Sequence, residues 1–383
     1  MEDDVDVDAY RAQLRAWLAE HLPDDLVGLR FDGDPGPERL ARLRTWNAAL
    51  ADAGYAAPAW PVEHGGRGLG VLGQVAHAEE MAAARAPGPI NAIGIPNIAP
   101  AIMAHGTEAQ QRRHLRTMLR GEEIWCQGFS EPEAGSDLAS LRCRADRDGD
   151  HYVVTGQKVW TTLGQVADWC ELLVRTDPEA ARPSRGITCL LVDVRLPGIT
   201  VAPLRTVTGD ADFNAVFLDE VRVPVSCRLG AEHAGWAVAR ATLANERGGV
   251  AALHLDLRTR IAELIAAARA AGRTADPLVR DRLGALHIEG ERLRFLADRS
   301  LALAAAGHPP GPESSVVKLA WSMLGQHLAE VAVEVLGLDA LDGEWGDDLL
   351  RSRSLSIAGG TTEVNKTIVG ERVLGLPREP DGR

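Results

Sequence analysis

The chain has 383 residues, 45% of them hydrophobic, which is typical of a globular protein with a large core and excludes a disordered chain. Its formal net charge of −13, without a basic stripe, argues against a nucleic-acid surface and means that any site for an acidic ligand needs local arginines. The acidic start, the lack of a long apolar run and five scattered cysteines predict no signal peptide, no membrane span and reduced thiols in a cytoplasmic protein.

Residues 1–122 are predicted to form a helical domain. Tyr10, Leu14 and Leu18 recur at helical spacing near the start of the chain. The glycine-rich stretch 63–70 lacks the Lys-Ser/Thr of a phosphate-binding loop, so it is interpreted as an ordinary loop. The remaining predicted helices of this domain cover about 71–86, 98–105 and 108–120.

Residues 123–228 change to a period of two and predict a central β domain. No helical pattern alternates with these strands, so an antiparallel sheet is expected rather than a parallel one. A turn signal at Asp148-Gly149 predicts a hairpin. Further strands are predicted at about 171–176, 187–194, 199–204 and 216–223.

Residues 229–383 return to helical periodicity and predict a four-helix bundle. Asp276 and Pro277 form a helix start, as N-cap and first helical residue. Apolar residues at Trp321, Leu324 and Leu328 fit either an oligomer contact or a core within the chain. The predicted helices cover about 235–271, 277–306, 313–336, 347–352 and a last segment ending at 374.

The stretch Trp125–Thr162 offers two interpretations. It places polar donors at strand ends beside Trp160, an arrangement that suits a flat aromatic cofactor. It is also what an ordinary hairpin with a buried Trp would show. Residue pattern alone leaves both open.

Glu246 is the most informative ionisable residue of the helical part. It follows Ala239 and Leu243 in a row with the spacing of a buried helix face. A carboxylate in such a row needs either a partner or a raised pKa, so Glu246 is predicted to be a general base or one half of a structural ion pair, for example with Arg247.

Several long motifs resemble those of the acyl-CoA dehydrogenase family. They are SEPEAGSDLASL with DGDHYVVTGQKVWTT and ADWCELLVRTD, then GWAVARATLANERGG, then IAGGTTEVNKTIVGERVLGLP. The motifs follow the order of the family and span nearly the whole chain. The resemblance implies an α+β fold with an N-terminal helical domain, a central antiparallel β domain and a C-terminal helical bundle.

The resemblance also implies a reaction. Members of this family bind FAD and oxidise an acyl-CoA to a trans-2-enoyl thioester, with a glutamate as base and an electron-transfer flavoprotein as electron acceptor. Many members carry the base where this chain has Gly359, which cannot act as one. A second group carries it where this chain has Glu246, just before Arg247. The resemblance therefore assigns the base to Glu246.

The family pattern assigns further roles to individual positions. Substrate contacts are implied at Ser136, Arg247 and the backbone N–H of Gly359. No metal is expected. The implied flavin contacts are Gln127, Phe129, Ser130, Trp160, Thr161, Thr162, Arg273, Gly337, Gly360, Thr361 and Glu363.

Two departures from the family pattern concern assembly. The Arg-x-x-x-Phe-Gly stretch is replaced by AARAAGRTADP, which leaves Arg273 or Arg269 to hold the flavin diphosphate, and the double-glycine stretch is reduced to Gly337. Because the resemblance implies tetramers that bind flavin across subunits, these changes leave open a homotetramer or a heterotetramer with a homologous chain. Heteromeric enzymes of this kind occur in the family among actinobacterial steroid side-chain degraders.

Two rival functions stay open at this point. The first is a flavin monooxygenase or oxidase on the same fold, which a missing base would favour and Glu246 argues against. The second is a subunit of a heteromeric dehydrogenase that has no catalytic role of its own.

Overall fold

The computed structural model describes residues 6–29, 35–248, 253–308 and 311–378, without the side chains at 246–248, 253, 304 and 305. By its contacts the chain divides into two compact units. The first comprises the residues up to Leu69 together with Ala83–Glu246, and the second comprises Gly70–Ala82 together with the residues from Arg247 onward. Within the described ranges, no helix is both long and apolar enough to cross a bilayer.

The helices lie at the two ends of the chain, as predicted. Several helices begin at a local sequence signal. Thr107 and Gln110 form a capping box at the helix that begins at Glu108, and Asp276 Oδ1 accepts a hydrogen bond from Leu278 N at the helix that begins at Pro277. The α-helices are α1 (Val7–His21), α2 (Gly36–Asp52), α3 (Val71–Ala83), α4 (Ala99–His105), α5 (Glu108–Leu119), α6 (Gly235–Gly248), α7 (Leu253–Ala270), α8 (Pro277–Ala305), α9 (Glu313–Leu336), α10 (Glu344–Arg351) and α11 (Thr362–Ile368).

The predicted helix over 235–271 is described as α6 and α7, and residues 249–252 between them lie outside the described ranges. The predicted helix over 313–336 has the bounds of α9. The sequence-based boundaries between domains, at 122 and 228, stay predictions.

The middle of the chain forms an eight-stranded sheet with the order β6-β7-β3-β2-β4-β5-β8, and β1 pairs with β4 off this path. Most pairs are antiparallel, as expected, but β4 runs parallel to both β1 and β2, which the long connections between these strands permit. The strands are β1 (Trp125–Gly128), β2 (Arg144–Asp148), β3 (His151–Thr162), β4 (Trp169–Arg175), β5 (Ile187–Asp193), β6 (Ile199–Leu204), β7 (Phe213–Pro224) and β8 (Arg228–Leu229).

The predicted hairpin is confirmed and sets the register of the sheet. Asp148 of β2 pairs with His151 of β3, and Gly149 in the turn has a φ of 61°, which glycine adopts without strain. This register buries Tyr152 and Val154 of β3 in the core of the sheet. The same strand continues to Thr162, so the hairpin positions the residues at its far end.

The second unit has its own core, built by α7, α8 and α9. Leu324 and Leu328 of α9 are buried there with Leu264 and Leu286, and Trp321 packs against the same cluster. Of the two interpretations of Trp321, Leu324 and Leu328, the core within the chain is therefore the correct one. Three long helices with one shared apolar face bury it together, which is the packing expected of a helical bundle.

Candidate active site

A buried ion pair fixes the chain where β1 ends. Lys158 Nζ donates to Oε1 of Glu131 at 2.8 Å and to the carbonyl of Phe129 at 3.1 Å. Lys158 is fully buried and Glu131 nearly so. A charge in such an interior is tolerated only with a partner and further hydrogen bonds, so this pair holds the backbone of residues 129–131 in one conformation.

Glu131 is satisfied on both carboxylate oxygens. Oε2 accepts from Arg142 N at 2.6 Å, and Oε1 also accepts from Cys143 N at 2.8 Å. A further backbone bond runs from Val159 N to the carbonyl of Ser130 at 2.9 Å. These contacts bring the predicted flavin-contact residues Phe129 and Ser130 beside the end of β3.

At the end of β3 a β-bulge turns Trp160 outward. Lys158 pairs with Val216 and Thr161 with Asn214, so one more residue lies on β3 than on β7 between these pairs. Trp160 has a φ of 61°, a strained angle for a residue with a side chain. Its indole is 60% exposed and meets Phe213 edge to face. The interpretation of this stretch as a hairpin with a buried Trp is therefore wrong.

Thr161, next to that bulge, is buried and has an unused hydroxyl. Its carbonyl accepts from Asn214 Nδ2 at 3.1 Å, and the same amide donates to Gln165 Oε1 at 2.6 Å. Thr161 Oγ1 and Gln165 Nε2 are buried and have no hydrogen-bond partner among the described residues. Buried polar atoms are almost always paired, so these two donors are available to a ligand or to an ordered water.

A second pair of unused polar atoms lies on β1 and β4. Gln127 and Glu171 are register partners in these parallel strands. Nε2 of Gln127 and Oε2 of Glu171 are both buried, and neither has a hydrogen-bond partner within the described part of the chain. Oε1 of Glu171 accepts from Thr242 Oγ1 of α6 at 2.8 Å and lies 3.9 Å from the Cys189 thiol of β5.

Burial dominates the electrostatics of Glu171. Loss of water raises the pKa of its carboxyl to about 8, while hydrogen bonds from Thr242 and Cys189 and the neighbouring amide of Gln127 lower it only in part. Near neutral pH this side chain is therefore mainly a neutral carboxylic acid.

In the second unit, a lysine anchors the closing segment. Lys318 of α9 is buried and donates to the carbonyls of Leu355 and Gly360, both at 2.9 Å. Asn365 Nδ2 also donates to the Gly360 carbonyl at 2.8 Å. Burial lowers the pKa of Lys318. The backbone that carries Gly359 and Gly360 is thus held from two sides.

Gly359 and Gly360 need glycine for a backbone reason. Their φ angles are 66° and 94°, in the region that disfavours residues with side chains. Thr361 follows them as the N-cap of α11, with Oγ1 accepting from Val364 N at 3.2 Å. The segment therefore presents backbone groups rather than a side chain at position 359.

The remaining predicted site residues of the second unit lie in two places. Arg273 Nε donates to the carbonyl of Val335 at 2.9 Å. Arg273 therefore lies near the end of α9, where Gly337 follows Val335 by two residues. Glu363 is exposed on α11. In the first unit, Ser136 is exposed and Thr162 is half-buried. The roles assigned to these five residues stay predictions.

Glu246 and Arg247 lie on α6, and their side chains are outside the described residues. The backbone of α6 still locates them. Its buried positions include Val238, Ala239 and Thr242, and position 246 follows Thr242 by one turn.

Comparison with known families identifies the fold. The N-terminal, middle and C-terminal domain models of acyl-CoA dehydrogenases match residues 6–122, 126–221 and 233–374. The chain belongs to the acyl-CoA dehydrogenase family. It is 42% identical over 390 residues to the acyl-CoA dehydrogenase IpdE1 of Mycobacterium tuberculosis, with 98% of this chain and 100% of that protein covered.

Solved structures of the family have the same fold. The structure titled Tcur3481-Tcur3483 steroid ACAD is similar with a TM-score of 0.86 and 29% identity, covering 97% of this chain and 98% of that one. The ChsE4-ChsE5 complex from Mycobacterium tuberculosis is similar with a TM-score of 0.81 and 32% identity, covering 99% and 100%. The predicted fold and the predicted enzyme class are thus confirmed.

Members of this family are flavoproteins, and the residues of the first unit fit such a group. An isoalloxazine ring is flat and carries hydrogen-bond acceptors and donors at its edge. The exposed indole of Trp160 would offer a surface to such a ring, and the unused polar atoms of Gln127 and Thr161 would offer partners to its edge.

Sequence interpretation missed the residues that support this site. In the first unit, Lys158 and Glu131 hold its backbone, Asn214 orders the end of β3, and Glu171 lies beside Gln127. In the second unit, Lys318 holds the closing segment. One signal was available: Glu171 is an acidic residue inside the otherwise apolar run of WCELLV. The partners of the other residues come from distant strands and helices and left no local pattern.

Proposed function

We propose that this chain is an FAD-dependent acyl-CoA dehydrogenase that converts an acyl-CoA thioester to its trans-2-enoyl thioester. The match of all three family domains carries the proposal. The residues that match the middle domain include Trp160, which is exposed and has a strained backbone angle, and the buried polar atoms of Gln127 and Thr161 that have no partner among the described residues. When bound, the flavin accepts the hydride that leaves the β-carbon of the substrate.

Glu246 is the proposed base, which removes the α-proton. The spacing of α6 supports this assignment, since position 246 follows the buried Thr242 by one helical turn. Position 359, where many family members carry the base, is a glycine held at a φ of 66°. With that position empty, Glu246 is the residue that the family pattern leaves for proton transfer.

Other residues bind and orient. In the first unit, Trp160 covers the flavin ring, and Gln127, Phe129, Ser130, Thr161 and Thr162 contact its edge. Ser136 and Arg247 are proposed to contact the substrate, and the backbone N–H of Gly359 to polarise its thioester carbonyl. From the second unit, the family pattern adds Arg273, Gly337, Gly360, Thr361 and Glu363 as flavin contacts.

We infer that the acyl group is bulky and steroid-derived. One similar structure is described as a steroid acyl-CoA dehydrogenase, and sequence relatives are mycobacterial acyl-CoA dehydrogenases. Both structures named above contain two different chains. We therefore propose that this chain works in a tetramer with a homologous chain and passes electrons to an electron-transfer flavoprotein in the cytoplasm.

The test is anaerobic flavin reduction. The chain is purified alone and co-expressed with homologous chains from its own genome, and each preparation is mixed with straight-chain, branched, aromatic and steroid-derived acyl-CoA esters. Loss of the oxidised-flavin absorbance with a steroid-derived ester, followed by slow reoxidation in dioxygen and fast reoxidation by electron-transfer flavoprotein, supports the proposal. Fast reoxidation by dioxygen supports an oxidase instead, and preparations without flavin contradict both.

A further inference from the structure

Three elements of the first unit meet at the carboxyl group of Glu171. It lies at the middle of β4 and is completely buried, with Thr242 of α6 on one side and Cys189 of β5 near the same oxygen. The amide of Gln127 on β1 lies beside it. The established family reaction assigns no task to this carboxyl.

The contacts determine which oxygen carries the proton. The Thr242 hydroxyl lies 2.8 Å from Oε1 and 3.3 Å from the carbonyl of Val238, so its proton is directed at the nearer Oε1, and the Cys189 thiol donates to the same oxygen. Oε1 is therefore an acceptor. Among the described side chains no cation contacts the carboxyl, and Lys158 is already engaged with Glu131. A neutral acid in this position therefore has its proton on Oε2, the oxygen that has no partner among the described residues.

A donor at Oε2 selects one orientation of the neighbouring amide. The amide of Gln127 has an acceptor end and a donor end, and the two exchange places when the group flips by half a turn. The structure has the buried Nε2 of Gln127 on the side of Glu171, where it lowers the pKa of the carboxyl. With a proton on Oε2, the favoured orientation is the flipped one, which turns the carbonyl Oε1 of Gln127 toward Glu171. The Nε2 donor then lies on the other side, toward the half-buried face of β1.

We propose that Glu171 is a positioning residue that donates a hydrogen bond from its protonated carboxyl to Gln127 and so directs the Gln127 Nε2 donor at the flavin. The inference rests on the proposed function, because it needs a flavin beside Gln127. It adds a consequence that the family reaction does not contain: flavin affinity depends on the protonation of a residue that the flavin does not touch.

Among the described residues, the groups that face Glu171 add no charge that would alter this account. The thiol of Cys189 on β5 and the thiol of Cys170 on β4 both have pKa values well above the usual one, mainly through burial for Cys189 and through the hydrogen bond with Cys126 for Cys170. Both thiols are therefore neutral when Glu171 ionises. A change in flavin binding above pH 8 can then be attributed to Glu171.

The first part of the test measures FAD dissociation constants by fluorescence between pH 6 and 9. In the parent protein, affinity should fall by about tenfold above the pKa of Glu171, since one well-placed hydrogen bond is worth about 1.4 kcal/mol. Glu171→Gln keeps a neutral donor and should bind FAD as the parent does at low pH, without the decrease at high pH. Cys189→Ser, the control at the neighbouring thiol, should keep the decrease.

The second part is a double-mutant cycle. Glu171→Leu and Gln127→Met should each weaken FAD binding by about tenfold, and the double variant should be no weaker than either, because both break the same interaction. Far-UV circular dichroism confirms folding. If the leucine variant is unfolded, the cycle compares the parent with Glu171→Gln at pH 9, where Glu171→Gln should bind FAD about tenfold more tightly and Gln127→Met should abolish that difference.

Additive losses, or a parent protein whose FAD affinity is flat from pH 6 to 9, would overturn the role of Glu171 while leaving the proposed function intact. Failure of the proposed function looks different: the protein then binds no FAD at any pH, with or without a homologous chain, and the inference falls with it.

Discussion

Lys158 and Glu131 form an ion pair in the interior of the first unit, with 2.8 Å between Nζ and Oε1. The pair also fixes the carbonyl of Phe129, and through it the strand end where the flavin contacts begin. Removing one partner of such a pair leaves a buried charge without compensation, which is usually far more costly than losing a pair at the surface.

The first prediction concerns that pair. Lys158→Met should lower the free energy of unfolding by about 3–5 kcal/mol, because Glu131 would lose its cationic partner in a buried site. The matched control is Arg222→Ala, which breaks the exposed pair of Arg222 with Asp148 and should cost less than about 1 kcal/mol. Urea unfolding followed by circular dichroism measures both, and equal losses would contradict the structural role of Lys158.

The second prediction concerns the proposed base. Glu246→Gln keeps shape and polarity but removes the basic carboxylate, so the rate of flavin reduction in a single turnover should fall about a hundredfold to ten-thousandfold. Substrate affinity should change little. Stopped-flow absorbance with the best acyl-CoA ester measures both quantities. Near-parent reduction by this variant would mean that the base is another residue, and a loss of binding alone would mean a structural role.

The third prediction concerns Trp160. Its indole is 60% exposed, so Trp160→Ala should leave the stability of the flavin-free protein unchanged within about 0.5 kcal/mol. FAD affinity should fall by about tenfold or more, since the contact area of an aromatic ring is worth about 1.5–3 kcal/mol. Phe217→Ala removes another exposed ring from β7 and serves as control. Equal FAD affinities of the two variants would exclude Trp160 from the site.

The fourth prediction is a pH dependence of stability. The pKa of Glu171 rises from the ordinary 4.5 to about 8 in the folded protein, so between these values the folded chain keeps a proton that the unfolded chain has lost. The contribution of Glu171 to stability is therefore complete below pH 4.5 and is lost as pH rises to 8. Over this range, Glu171 makes the free energy of unfolding fall by at most about 1.4 kcal/mol per pH unit.

Comparison of variants isolates this effect. Denaturant unfolding of the flavin-free protein at several pH values should show a shallower decline for Glu171→Gln than for the parent. Glu220→Gln changes an exposed glutamate and should keep the parent slope. Parallel curves for the parent and Glu171→Gln would show that Glu171 is ionised in the folded protein at neutral pH.

The fifth prediction concerns Gly359. Because its φ is 66°, Gly359→Ala should destabilise the protein by about 1 kcal/mol, whereas Gly284→Ala, in the exposed middle of α8 with open space around its Cα, should stabilise it by about 0.5–1 kcal/mol. Thermal unfolding of the two variants measures both the expected loss and the expected gain of stability. The same strain predicts that Gly359→Glu will not restore activity to Glu246→Gln, and a restored rate would show that this segment rearranges.

Some features of this protein follow from the sequence alone. Local signals were sufficient for the bounds of α9, for the start of α8 at Asp276 and Pro277, and for the hairpin turn at Gly149. These depend on the spacing of apolar residues, on capping groups and on a backbone angle that glycine prefers, all of which act over a few neighbouring residues. The long motifs also indicated the family, and through it the fold, because they occur along the chain in the same order as in the family.

Tertiary structure decided the rest. The bulge that turns Trp160 outward requires the pairing of β3 with β7, whose residues lie more than fifty positions away in the chain. The neutral state of Glu171 requires the burial of β4 under α6 and its parallel pairing with β1. A residue's pKa and exposure depend on the groups packed around it in space, and for Glu171 those groups, Gln127, Cys189 and Thr242, come from three separate parts of the chain.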